Sequence, residues 1–203
     1  MTEPGAYEVG LMAEDLAQVM NALSIERAII GGESMGAATA LEFALRYPER
    51  VSHLLLTAPA FGGEESTERE RFIKIANTIR AVGLKEFVGA ARQVWISDFG
   101  WSEDAAATLG DSFLAHNAES LATAMDSVMA WAPITSLERL RSVQCPVCII
   151  YWNDDALHPA ALAHQLVDYF PNARLVEIAP LPEIFVQPGR TGEIYGDFLA
   201  SVR

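Results

Sequence analysis

Ser34 lies in Gly32-Glu33-Ser34-Met35-Gly36, a G-x-S-x-G pentapeptide in which small residues on either side of a serine let strand and helix backbones approach at a strained turn. Such a turn lifts the hydroxyl clear of its surroundings, where a neighbouring base can make it a nucleophile. Two other glycine-rich chemistries do not fit. A phosphate-cradling loop needs Lys and then Ser or Thr after its last glycine, and Gly36 is followed by Ala37 and Ala38. A dinucleotide fingerprint needs glycine two residues after Gly31, where Glu33 would repel a pyrophosphate. Cys145 and Cys148 form C-x-x-C inside a strand pattern, so their side chains point to opposite faces and are expected to be buried, reduced thiols. No second Cys or His pair completes a zinc site, and no metal or cofactor is expected.

The elements that must carry Ser34 are legible on both sides of it. Ala28, Ile29 and Ile30 predict a buried strand before the turn. Ala40, Leu41, Phe43, Ala44 and Leu45 predict a helix after it, stopped by Pro48. Tyr7 to Leu23 has the apolar spacing of an amphipathic helix leading into that strand. Three more apolar runs, VSHLLLTAPA, CPVCIIYW and ARLVEIA, predict further strands. Helical segments separate most of them, so the fold class is α/β with a parallel sheet of about four strands.

Between Phe61 and Val143 the alternation breaks into helical segments without strands. One domain over residues 1–203 is therefore expected, with a core of 1–60 and 144–203 and a helical cap of 61–143. Apolar cap residues are expected mainly in helix cores, with a few, Trp95, Met129 and Trp131, lining a pocket over Ser34.

The chain has 203 residues, 51% of them hydrophobic, enough to bury one sizeable core. Its formal charge of -13 opposes binding to nucleic acid or to anionic membranes. Met1 to Gly10 lacks a basic stretch followed by an apolar one, and no apolar run approaches the roughly 18 residues of a membrane span. A cytoplasmic protein with a small-molecule acyl substrate or ligand is the expectation.

With the serine elbow, ALRYPERV closing its helix, a helical insertion and CPVCIIYWNDDALHP opening the next sheet segment, nearly the whole chain resembles the capped, serine-nucleophile α/β-hydrolase superfamily. The resemblance implies Ser34 as nucleophile, the Met35 backbone N–H as an oxyanion donor and Asp155 as the triad acid, with Asp154 as the alternative. It also implies a histidine just past ARLVEIA. There the chain reads Pro180-Leu181-Pro182-Glu183, which puts Glu183 at the histidine position in one register and Leu181 in another. The last histidine, His164, precedes that strand. His53, His116 and His164 read as structural. His158, three residues past Asp155, reads as a pocket or loop residue, with a displaced base as its alternative.

The resemblance further implies strands and a His-Gly segment ahead of Tyr7 that this sequence does not contain, so it reads as truncated at the N-terminus. From these departures follow the remaining expectations. They are a protein derived from a serine hydrolase of carboxylic esters, lactones or related acyl substrates, weak or inactive, with no imidazole between Ser34 and Asp155. The alternatives are a non-catalytic binding or interaction module and a fragment of a longer hydrolase. The strand at Ala28 to Ile30, unpaired on one side, is expected to draw copies into a homo-oligomer.

Overall fold

The computed structural model describes residues 3–62, 66–132, 136–179, 182–187 and 189–202. Four strands form one parallel sheet in the order β1-β2-β3-β4: β1 (Ala28–Glu33), β2 (Val51–Thr57), β3 (Val147–Tyr151) and β4 (Ala173–Glu177). Parallel neighbours need crossovers, and the sequence supplies them as helices. Helix α1 (Val9–Ala22) leads into β1, and α2 (Met35–Arg46) joins β1 to β2. Helices α3 (Arg69–Val82), α4 (Leu84–Ser97), α5 (Glu103–Leu114) and α6 (Ala118–Val128) lie between β2 and β3. Helix α7 (Ala160–Tyr169) joins β3 to β4, and α8 (Pro182–Val186) and α9 (Gly189–Ser201) follow.

The alternation of β3 decides which side chains meet which helices. Val147, Ile149 and Tyr151 face a core shared with Ala13, Ala17 and Met20 of α1, Leu41 and Phe43 of α2, and Leu166 of α7. Cys148 and Ile150 face the other way, onto Ile194 and Phe198 of α9. Both faces of the central strands are covered, which is why CPVCIIYW reads as a continuous apolar run. Cys145 packs against the first cluster and Cys148 belongs to the second, so the two thiols lie on opposite faces. Both are free, and burial pushes Cys148 up to about 11.

The helical insertion carries its own packing. Ala76 and Ile79 of α3, Val88 of α4 and Ala122 and Met125 of α6 share a buried cluster. Arg80 on α3 pairs with Glu119 and Asp126 on α6, and Arg92 on α4 pairs with Asp111 on α5. Local chemistry sets the helix ends. Gly83, at φ 91°, separates α3 from α4 in a conformation that favours glycine. The Ser102 hydroxyl accepts from Ala105 N–H at 3.2 Å, and the Asn117 amide oxygen accepts from Ser120 N–H at 3.0 Å.

Among the described residues β1 is an edge strand, and Ile29 on it is 48% exposed. No helix among them is long and apolar enough to cross a membrane.

Candidate active site

Strand β1 ends at Glu33, and α2 begins at Met35, so Ser34 makes the whole change of direction by itself. It adopts φ 52° and ψ -111°, a conformation costing about 1–3 kcal/mol that the surrounding hydrogen bonds must hold. Ser34 N–H donates to Thr57 O on β2 at 3.0 Å, and Ser34 O accepts from Ala38 N–H at 3.2 Å. The turn brings Gly32 against the first turn of α2. A Cβ on Gly32 would stand 2.2 Å from both the carbonyl carbon and oxygen of Gly36, so no side chain fits. Gly36 itself is different. A Cβ there would meet nothing outside its own helix within 4 Å, which corrects the reading that both glycines are sterically required.

The second half of the site comes from the loop between β3 and α7. It leaves the sheet through Trp152 and Asn153, whose side-chain amide donates to Glu177 at the end of β4. Asp154 turns in the left-handed region at φ 61°, and Asp155 is thereby aimed back at the elbow. Each Asp155 oxygen accepts twice. Oδ1 takes Leu157 N–H at 2.9 Å and His158 N–H at 3.3 Å. Oδ2 takes the Trp152 indole N–H at 2.8 Å and meets His158 Nδ1 at 2.7 Å. Burial alone would raise the Asp155 carboxyl, but the hydrogen bond and charge of His158, with the Trp152 and Leu157 donors, outweigh it and bring it down to about 2. Asp155 is thus a fixed anion, and Asp154 takes no part in the cluster.

His158 Nε2 stands 3.0 Å from Ser34 Oγ. The expectation of no imidazole between Ser34 and Asp155 is therefore corrected: His158 bridges them. Because an ionised carboxylate can only accept, the neutral ring carries its proton on Nδ1, which leaves Nε2 to accept from the Ser34 hydroxyl. The ring is 8% exposed and meets the Trp152 indole edge-on at 5.5 Å between centroids. The other three histidines lie elsewhere: His53 against Phe198, His164 against Tyr151, and His116 exposed beyond α5. Glu183 falls in α8 with its side chain outside the described residues, and Leu181 lies outside the described residues altogether. The position beside Ser34 Oγ is occupied by the His158 ring.

Two further features complete the geometry. Met35 opens α2, so its N–H has no partner within the helix and belongs to the positive end of the helix dipole beside Ser34. Glu33 carries a carboxyl raised by desolvation, an effect that the neighbouring His158 charge opposes. It nonetheless keeps more than a third of its surface in water.

Of the expected pocket residues, Met129 and Trp131 join a buried apolar cluster with Tyr7, Ala38, Phe61 and Val128. Met35 and Leu157, the neighbours of Ser34 and His158 in the chain, pack against it. Trp95 does not join them. It stacks on Trp101 at 5.6 Å and meets Phe113 at 6.1 Å, and Trp101 in turn meets Phe185 of α8. Among the described residues, no group of three or more His, Cys, Asp or Glu side chains is placed to hold a metal ion.

Sequence reasoning missed the Trp152 donor and underweighted His158. The available signal was the spacing Asp155-x-x-His158 immediately after a strand, which lets one tight loop return an imidazole to its own carboxylate.

The family description that matches the chain is the alpha/beta hydrolase fold, over residues 2–183. A Bacillus subtilis protein named as a 2-succinyl-6-hydroxy-2,4-cyclohexadiene-1-carboxylate synthase is 28% identical over 205 residues, covering 97% of this chain and 74% of that protein. The 2-hydroxy-6-oxononadienedioate/2-hydroxy-6-oxononatrienedioate hydrolase of Paraburkholderia phymatum is 30% identical over 171 residues, covering 80% of this chain and 58% of that one. Among solved structures, the enol-lactonase from Burkholderia xenovorans LB400 superposes with a TM-score of 0.79 at 22% identity, over 98% of this chain and 75% of that one. With a family match running through the elbow, the insertion and the loop of Asp155 and His158, this chain belongs to the α/β-hydrolase fold family.

Proposed function

We propose that the chain is a serine hydrolase of small carboxylic esters, lactones or related acyl substrates, with Ser34 as nucleophile, His158 as general base and Asp155 orienting the base. The observation that carries this reading is the His158 bridge, 3.0 Å to Ser34 Oγ and 2.7 Å to Asp155 Oδ2. The expectation of weak or absent turnover rested on a missing base and a half-missing oxyanion hole, and the His158 contact with Ser34 speaks against the first of these grounds.

In the reaction, Ser34 Oγ attacks the substrate carbonyl as its proton passes to His158 Nε2. The resulting imidazolium is stabilised by the Asp155 carboxylate, which stays ionised. The Met35 N–H donates to the oxygen that becomes negative. Collapse of the tetrahedral intermediate expels the alcohol, which takes the proton from His158 and leaves an acyl-serine. Water then attacks the acyl group with His158 again as base, releasing the acid and restoring Ser34. The apolar cluster of Phe61, Met129, Trp131 and Leu157 beside the elbow suits an uncharged acyl chain.

The test is hydrolysis of p-nitrophenyl butyrate together with labelling by a fluorophosphonate. Turnover that disappears in Ser34→Ala and in His158→Ala, with the label on Ser34, is the expected result. Turnover unchanged by Ser34→Ala, or no labelling of the folded wild-type protein, would overturn the reading.

A further inference from the structure

Trp152 is 1% exposed at the end of β3, and its indole N–H donates to Asp155 Oδ2, the oxygen that also meets His158 Nδ1. Its ring packs in a T-shaped arrangement, 5.5 Å between centroids, against the imidazole it helps to anchor. One buried side chain therefore touches both members of the pair, by a hydrogen bond to one and by van der Waals contact with the other. We infer that Trp152 is the positioning residue of the Asp155–His158 pair: it fixes the rotation of the carboxylate and stops the imidazole from swinging off Ser34. The inference rests on His158 acting as base.

Two consequences separate this role from simple core packing. A second donor on Oδ2 draws part of its negative charge away from the imidazole ring. Removing that donor leaves Nδ1–H as the sole partner of Oδ2, so the imidazolium is held more tightly and the base becomes available only at higher pH. The ionisable groups facing His158 are Asp155 on its own loop and Glu33 at the end of β1, with the Ser34 hydroxyl at the start of α2. The insertion side presents apolar Met129 and Trp131 against Leu157, with Tyr7 in the same cluster. Both Glu33 and Asp155 remain in a Trp152 variant, so a displaced pH profile reports the lost indole donor.

The test compares wild type with Trp152→Phe and with 3-benzothienylalanine placed at position 152, which keeps the bicyclic shape and replaces only the N–H by sulfur. Leu140→Ala, fully buried and outside the pair, controls for loss of stability. Expected in both 152 variants is a kcat about tenfold lower with little change in KM, and an acid limb of the pH profile moved up by about half a pH unit, as altered hydrogen bonding to a charged group would give. The downfield proton resonance of His158 Nδ1–H, recorded without substrate, is expected to move in both and to stay in place in Leu140→Ala. An unmoved limb and an unmoved resonance in the folded benzothienyl protein would overturn the inference. Ser34-dependent turnover tests the catalytic reading separately, because the resonance needs no turnover.

Discussion

Replacing Asp155 by Asn removes one charge and almost no volume, yet the structure offers the amide no acceptable orientation. Both carboxylate oxygens accept from two donors: Oδ1 from the N–H groups of Leu157 and His158, Oδ2 from the Trp152 indole and the His158 ring. An asparagine NH2 group faces two backbone donors in the Oδ1 place and the Trp152 indole N–H in the Oδ2 place, and leaving buried partners unmatched costs about 1–3 kcal/mol. The charge adds its own contribution. The folded carboxyl is held at about 2, below its ordinary value of 3.8, so native Asp155 binds its proton less readily than the unfolded chain does. A depressed folded value means stability that is fully present above about pH 4 and is lost as the pH falls to about 2. The difference corresponds to about 2 kcal/mol, reasonable for a side chain only 15% exposed. Urea titrations should thus show Asp155→Asn about 3–5 kcal/mol less stable at pH 7, with the gap narrowing toward pH 2 as the wild-type carboxyl takes up its proton. The catalytic effect is larger. An amide NH2 pushes the His158 proton from Nδ1 to Nε2, the wrong tautomer for taking a proton from Ser34, and kcat should fall on the order of ten-thousandfold. A variant as stable as wild type at pH 7, or one retaining kcat within tenfold, would refute the assignment of Asp155 as a fixed anion in charge of the tautomer.

Gly32→Ala should cost about 3 kcal/mol in urea unfolding or prevent folding, because its Cβ meets Gly36 backbone, while Gly36→Ala should be tolerated within about 1 kcal/mol; equal losses would contradict the elbow geometry. Trp131→Ala should raise KM for p-nitrophenyl butyrate more than Trp95→Ala does, since Trp131 packs near the elbow and Trp95 is held by Trp101 and Phe113; the reverse ranking in steady-state kinetics would move the pocket. We propose that the β1 edge mediates self-association, so light scattering at micromolar concentration should give a dimer or larger species that Ile29→Lys dissociates. A wild-type monomer would dispose of that proposal.

The elbow was readable because everything that makes it is local: a short apolar strand, two small residues, the serine and an apolar helical face follow one another within a few turns of chain. The sheet was readable for the related reason that VSHLLLTAPA and CPVCIIYW are too apolar to sit anywhere but between covered faces, while ARLVEIA mixes half-buried apolar residues with exposed Arg174 and Glu177 as an edge strand does. The place of His158 was not, because the resemblance points past β4, to the position of Glu183. What brings His158 to Ser34 is the left-handed turn at Asp154 and the double acceptance at each Asp155 oxygen, and neither leaves a periodic trace in sequence. Trp95 failed as a pocket residue for a similar reason. Helical spacing marks it as apolar-facing, but only the approach of α5 and α8 decides which apolar neighbours it meets.

In the proposed mechanism acid and base come from one loop, which leaves the reacting groups with a single adjustable joint. Asp155 and His158 travel as one body on the end of β3, and Ser34 travels as another on the end of β1. Between them lies β2, linked to the first body by Ala58 N–H to Ile150 O at 2.8 Å and to the second by Ser34 N–H to Thr57 O at 3.0 Å. The sheet works as a gauge block, and its lateral registry sets the 3.0 Å gap between Ser34 Oγ and His158 Nε2. The chain leaving β2 past Ala58 is also the chain that enters the helical insertion. A ligand or partner that pulls on those helices would thus have a short lever arm on the Ser34–His158 distance, with no need to touch either residue.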